Sequence, residues 1–232
     1  MTKLTQTVGE ARDYILKRIG AEGSTEYQAL VLDMLNHALA FVAIQHDWSW
    51  LREVTTFTTT DATGVVILSA DVERILAIYE TGSNVALVEL DPIPFLEYKL
   101  GQADTESIYF CKRGTNQSTD TIAPSMKIDI YPAPDSGTTY NLWYIKYLDE
   151  FTDTTDVPPI PPSAWELIIK KATLEALNHT EAPANTIRLA EKHMSFALMS
   201  LKRREDLGSS KSSSLKLPAN VENFSYDRYV RK

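Results

Sequence analysis

At His46-Asp47-Trp48-Ser49-Trp50-Leu51-Arg52 the hydrophobic period of this chain changes. Upstream, apolar residues recur every three to four positions, the stripe of an amphipathic helix; downstream, Val54-Thr55-Thr56-Phe57-Thr58-Thr59-Thr60 has strong β propensity and little apolar content. Further along, helical periodicity returns. A chain of this kind must build two sorts of layer, so the expected class is α+β. Two of the four tryptophans, Trp48 and Trp50, stand at the change. Large aromatics bury the most surface per side chain, so this pair is expected to anchor the helix against the core of the sheet that follows.

Thr7 with Glu10 reads as a capping box, Ala11, Ile15 and Ile19 mark one face, and Gly20 supplies the stop of a short first helix. Thr25 with Gln28 opens a longer one, whose stripe is Leu30, Val31, Met34, Leu35, Ala38, Phe41, Val42 and Trp48. From Val54 to Phe151 the pattern alternates, and turn signals recur at Asp61-Ala62-Thr63-Gly64, Thr81-Gly82-Ser83-Asn84, Arg113-Gly114-Thr115-Asn116 and Pro134-Asp135-Ser136-Gly137. Between them the expected strands are Val65–Leu68, Val72–Tyr79, Val85–Leu90, Ile108–Cys111, Met126–Tyr131 and Tyr140–Leu148. Met126, Ile128 and Ile130 face one way and Lys127 and Asp129 the other, the pattern of a sheet with one wet face. Tyr140–Leu148 carries large residues on both faces, so it is either central or at an interface, and the threonine strand suits a solvated edge. One helix interrupts the sheet: Asp91 caps, Pro92 fits the first turn, and Phe95, Leu96 and Leu100 lead to Gly101.

Asp156-Val157-Pro158-Pro159-Ile160-Pro161-Pro162 is a stiff connector, because four prolines forbid helix interior and central strand. After it Ser163 with Glu166 reads as a third box, and Trp165, Ile168, Ile169, Ala172 and Ala176 form a stripe. A last helix is expected from about Pro183 to Leu207, with Ile187, Ala190, Met194, Ala197, Leu198 and Leu201 inward. Both late helices need a partner face, and the first two supply one. The expected organisation is therefore a helical bundle from residues 1–52 and 163–207, an antiparallel β domain inserted at 53–162, and an extended C-terminal arm at 208–232.

The chain has 232 residues with 44% hydrophobic content, enough to bury a full core, and a net charge of -8. From Lys202 to Lys232, eight Lys or Arg oppose four Asp or Glu, so this end is +4 and the rest is -12. Such a body is a poor general binder of nucleic acid, which needs clustered basic surface. Cys111 is the only cysteine, so an intrachain disulfide and a Cys-based zinc site are excluded. With no apolar stretch near the roughly 20 residues that span a bilayer and no signal-type N-terminus, the expectation is a soluble protein without a membrane partner.

No enzyme motif is present. His37, His46, His179 and His193 lack metal-ligand spacing, no Gly-rich phosphate loop or nucleophile elbow is found, and no cofactor is expected. Glu205-Asp206 and Asp149-Glu150 read as solvated carboxylates at element ends. The C-terminal arm is the more informative segment. Beyond the linker-like Gly208-Ser209-Ser210-Lys211-Ser212-Ser213-Ser214, it interleaves Leu215, Leu217, Val221, Phe224, Tyr226, Tyr229 and Val230 with Lys216, Arg228, Arg231 and Lys232, the composition of a segment that orders on a partner.

The layout, with the Trp motif of residues 46–52, the segment Leu68-Ser69-Ala70-Asp71-Val72-Glu73-Arg74-Ile75 and the later Ile128-Asp129-Ile130-Tyr131-Pro132-Ala133-Pro134, resembles tailed-phage head-to-tail adaptor proteins, in particular the tail tubular protein A group. In that group a leucine-proline-x-Asp-x-x-Arg pattern follows the Trp motif; here Ser69 or Ala70 stands where proline is common. The resemblance covers about residues 5–205. It implies a structural virion protein, not an enzyme, at the head-tail junction, assembled in the host cytoplasm. It also implies a homo-oligomeric ring, usually of twelve subunits, docked beneath the portal protein. The ring would continue the DNA channel without specific binding of the genome and carry the tail nozzle or next tail component. The arm residues expected to engage the portal are Leu217, Val221, Phe224, Tyr226, Arg228, Tyr229 and Arg231. Two other readings remain open. A receptor- or carbohydrate-binding tail module would need Trp143, Tyr144 and Tyr147 as an exposed platform, and a hydrolase would need a cleft holding His46 or His179 beside a nucleophile.

Overall fold

A computed structural model describes residues 7–60, 63–83, 86–101, 108–116 and 125–212. The fold is α+β, and the chain divides into two compact units, with the divisions between Ser49 and Trp50 and between Glu150 and Phe151.

The first unit holds α1 (Val8–Ile19), α2 (Thr25–Ala43), α4 (Pro162–His179) and α5 (Ala184–Ser212). Helix α1 starts on the Thr7–Glu10 capping box, with both reciprocal hydrogen bonds formed at 3.0 and 3.2 Å, and stops at Gly20 in the left-handed conformation. Helix α2 is capped one residue earlier than the sequence pattern indicates: the Ser24 hydroxyl accepts from Tyr27 N. Its buried face is Val31, Met34, Leu35, Ala38, Leu39 and Val42. Trp48 lies beyond the helix and so is not part of its stripe.

Helix α4 is the centre of the unit. It packs on α1, α2 and α5, and nine of its residues, from Ala164 and Trp165 to Leu177, are buried. The Ser163–Glu166 capping box does not form. Pro162 takes the first helical position, where its fixed φ suits the helix, so Ser163 falls inside the helix rather than at its cap, and Glu166 pairs forward with Lys170 Nζ at 2.6 Å. Helix α5 continues past Leu207 through Gly208 to Ser212, five residues into the stretch that reads as linker.

The segment before α4 is tied to the helices. Phe151 N donates to Asn36 Oδ1 at 2.8 Å, Asn36 Nδ2 donates back to Phe151 O at 3.2 Å, and the Phe151 ring meets Trp165 edge-on. Val8 N and Gly9 N donate to Asp156 O and Thr154 O. Gly9 allows this approach, because a Cβ there would stand 2.8 Å from Thr154 O.

The second unit contains β1 (Arg52–Thr58), β2 (Val65–Ile67), β3 (Val72–Glu80), β4 (Val88–Glu89), α3 (Pro92–Gly101), β5 (Tyr109–Asn116), β6 (Ser125–Tyr131) and β7 (Thr139–Lys146). One sheet has the order β1-β7-β3 and the other β2-β6-β5-β4. All pairings are antiparallel except β4 with β5, which is parallel, so the second sheet is mixed. Strand β7 is central, as its two apolar faces indicate, and the threonine-rich β1 is a solvated edge. Both sheets turn one face to a shared core that includes Val66, Ile78, Phe110, Ile128, Tyr140 and Leu142.

Two local readings differ. Arg113-Gly114-Thr115-Asn116 is not a turn but a bulged continuation of β5, with a register shift between Lys112 and Gly114 and φ of +98° at that glycine. Asp129, on the face of β6 that reads as wet, is fully buried. Helix α3 lies along this sheet: Tyr98 stacks on Tyr109 and Phe95 meets Tyr131 edge-on. Only Phe95 of the α3 residues is buried, while Leu96 and Leu100 are exposed.

Candidate functional site

The Trp motif at the end of α2 closes onto the last turns of α5. Trp48 is fully buried, and its indole N–H donates to Val42 O at 2.6 Å, folding the chain back over the helix it has just left. His46 packs edge-on against the Trp48 ring with centroids 4.9 Å apart, and its Nε2 lies 3.5 Å from Asp206 Oδ1. Ser49 N donates to Glu205 Oε2 at 3.1 Å, and Lys202 Nζ to Gln45 Oε1 at 3.4 Å. Three residues of α5 are thereby held by three of the motif and its approach. These contacts tie α5 down between Lys202 and Asp206, before its last described turn. Glu205 and Asp206, which read as solvated acids, are partners here; a signal for this lies only in their distance along α5, since nothing local distinguishes them.

Helix α5 has two apolar faces. Leu201 is buried, and Ile187, Ala190, Met194, Ala197 and Leu198 are half-buried, which places the inward stripe where periodicity puts it. On the other side Leu189, Phe196, Met199 and Leu207 are exposed, Phe196 to 73% and Met199 to 71%. A groove of about 480 Å³ runs between α1, α4 and α5, with Tyr14, Arg18, Trp165, Ile169, Leu189 and His193 among its walls. Trp165 Nε1 is buried there without an acceptor among the described residues. Contiguous apolar surface of this sort marks a binding face more often than an accident of composition.

The β unit is built around two polar centres. Asp129, buried beneath α3, receives Lys99 Nζ from α3 at 3.2 Å and the Arg113 guanidinium from the bulge of β5. Tyr144 on β7 donates its hydroxyl toward Asp71 Oδ2 at 2.9 Å, with Glu53 Oε2 at 3.3 Å and Lys146 completing the cluster through Glu53. Burial first, then the hydrogen bond and charge of Asp71, push the Tyr144 hydroxyl far above the ordinary tyrosine range. Desolvation raises Asp71, but hydrogen bonds from Ser69 and Tyr144 outweigh it and hold the carboxyl below its usual value. Asp71 O also accepts from Tyr147 N at 2.7 Å. The Asp of the Leu68–Ile75 segment is thus a structural hinge pin at the entrance to β3.

None of these centres has the form of a catalytic site. Cys111 is buried, and desolvation together with the nearby Asp129 pushes its thiol up, away from thiolate chemistry. His179 packs edge-on with Tyr27. Among the described residues no group of three or more His, Cys, Asp or Glu could hold a metal, and no helix is long and apolar enough to cross a membrane. Trp143 on β7 and Tyr147 just beyond it are exposed, but Tyr144 points into the core, so the three do not share a platform.

Trp48 falls in the helical unit and Trp50, half-buried, in the β unit. The arm residues Leu217, Val221, Phe224, Tyr226, Arg228, Tyr229 and Arg231 lie outside the described residues. A family model described as SU10 adaptor protein matches residues 3–215. No curated protein is found to match the chain.

Proposed function

We propose, from the premise that the chain belongs to the SU10 adaptor protein family, that this phage structural protein is a head-to-tail adaptor of the tail tubular protein A kind. Twelve copies form a ring beneath the portal protein, continue the channel through which the genome passes, and present the platform on which the tail nozzle or next tail component is built. The work is mechanical. The observation that supports the reading is the tie on the C-terminal part of α5, where His46, Ser49 and Gln45 hold Asp206, Glu205 and Lys202.

A C-terminal arm that departs from a fixed point can reach a neighbouring portal subunit and transmit load when it orders there. Its aromatic and basic residues, Phe224, Tyr226, Arg228, Tyr229 and Arg231, are the contacts expected to do so, and Leu217 and Val221 the apolar footholds before them. The body, at -12 outside the basic end, repels phosphate, which suits a channel wall that lets DNA pass without gripping it.

The test is assembly on emptied heads that carry portal. Imaging should show a closed ring at the portal vertex, and removal of residues 213–232, which keeps α5 whole, should leave a folded protein that no longer docks. A protein with no affinity for such heads would overturn the adaptor reading, and docking of the truncated protein at the wild-type level would overturn the role of the arm.

A further inference from the structure

We infer that neighbouring copies of this chain join head to tail, the outer face of α5 on one subunit lying against the outer face of α2 on the next. The inference rests on the ring reading and assigns the surfaces that close it. On α5, Leu189, Phe196, Met199 and Leu207 are exposed, and at 100° per residue they fall within an arc of about 80°. Lys192 and Arg203 lie within the same arc, and no acid does. On α2 the exposed arc holds Glu26, Ala29, Asp33, His37 and Ala40, continued by Ile44, which is exposed to 73%. The whole of α2 has neither Lys nor Arg.

The two faces are complementary in both respects that govern helix pairing. Large side chains on α5 meet small ones on α2, where Ala29 and Ala40 leave room for Phe196 and Met199 to seat between turns. Cations within the α5 arc meet anions within the α2 arc. Like pairs with like badly: α5 against α5 sets Lys192 and Arg203 against their own copies, and α2 against α2 sets Glu26 and Asp33 against theirs. A contact between two different patches of identical chains is heterologous, the kind that generates rings. Helix α4 packs on both α2 and α5, so each subunit carries one patch on either side of the same central helix.

A single helix-on-helix contact is small beside the roughly 800 Å² per partner of a standard stable interface. Subunits therefore stay apart when dilute and join when a template holds them side by side.

Charge exchange in the full-length chain tests the pairing. Two variants are made, E26K/D33K on α2 and K192E/R203E on α5; all four positions are exposed, and circular dichroism checks that the fold is kept. Each is added alone to portal-bearing emptied heads, and bound subunits are counted. Each variant alone should bind at least tenfold less than wild type. Their equimolar mixture should recover the wild-type count, since every contact in an alternating ring then sets a Glu face against a Lys face, or the native pair against each other. Rings of either variant alone at the wild-type count, or no recovery in the mixture, would overturn the pairing while leaving the adaptor reading in place. Failure of the wild-type protein to form a ring on heads would overturn that reading itself.

Discussion

The two units of this molecule place their charge differently. In the β unit one carboxyl is taken fully inside, Asp129 beneath the half-exposed Lys99 and Arg113, and the buried Tyr144 meets Asp71 and the exposed Glu53. In the helical unit, the interior is apolar and the ion pairs Lys170–Glu166, Lys171–Glu175 and Arg12–Asp13 sit outside or at the margin. A buried pair adds little net stability but tolerates only one register, because a slipped strand would strand a charge. Helices that pack by apolar stripes have no such constraint and can leave a second stripe open. The β unit is thus specified from within, and the helical unit by stripes that leave Leu189, Phe196, Met199 and Leu207 on an open helix face.

The contrast predicts its sharpest effect at Asp129. Removing both cations with K99M/R113M leaves a fully buried carboxylate without compensation, and urea unfolding followed on the full chain should show a loss of about 3–5 kcal/mol. A loss below about 1 kcal/mol would mean that the two cations do not compensate the buried carboxyl, and the contrast would fail. The alkaline limb is the next largest effect. Tyr144 and Tyr140 ionise above the ordinary tyrosine range in the folded chain, both chiefly through burial. Above the unfolded value of about 10 the unfolded chain releases protons that the folded one retains, so stability falls as pH rises, by up to about 1.4 kcal/mol per pH unit for each group. Y144F should remove one group's share of that slope, as measured by unfolding between pH 9 and 11 on the order of one-half unit steps. The smallest effect belongs to the helices. E166Q breaks the exposed pair with Lys170 and should change stability by about 0.3–0.5 kcal/mol, an effect that salt removes.

Much of the architecture is readable in local pattern, and the misreadings share one cause. Thr7 with Glu10 forms its box because nothing competes for the first turn; Ser163 with Glu166 has the same spacing, but Pro162 claims the position that matters. The alternation of Lys127 and Asp129 against Ile128 is correct for a strand, yet whether the polar face is wet depends on α3, some thirty residues away, settling over it. Gly208 opens a stretch that reads as linker, and α5 runs through it. At the candidate site, the Trp motif announces itself by composition, whereas its partners Lys202, Glu205 and Asp206 are ordinary surface residues of a long helix. Pattern identifies elements; pairings at a separation of more than 150 residues have no local signature.

The helical unit is also split in the chain, its first two helices separated from α4 by more than a hundred residues. During synthesis, at roughly 5–20 residues per second, α1 and α2 emerge some 5–20 s before the helix that covers Val31, Leu35 and Ala38. For that interval the ribosome carries a sticky hairpin next to a β unit that can already complete its own core. The timing of translation, and any chaperone that shields the hairpin, is therefore part of what determines the yield of folded chains.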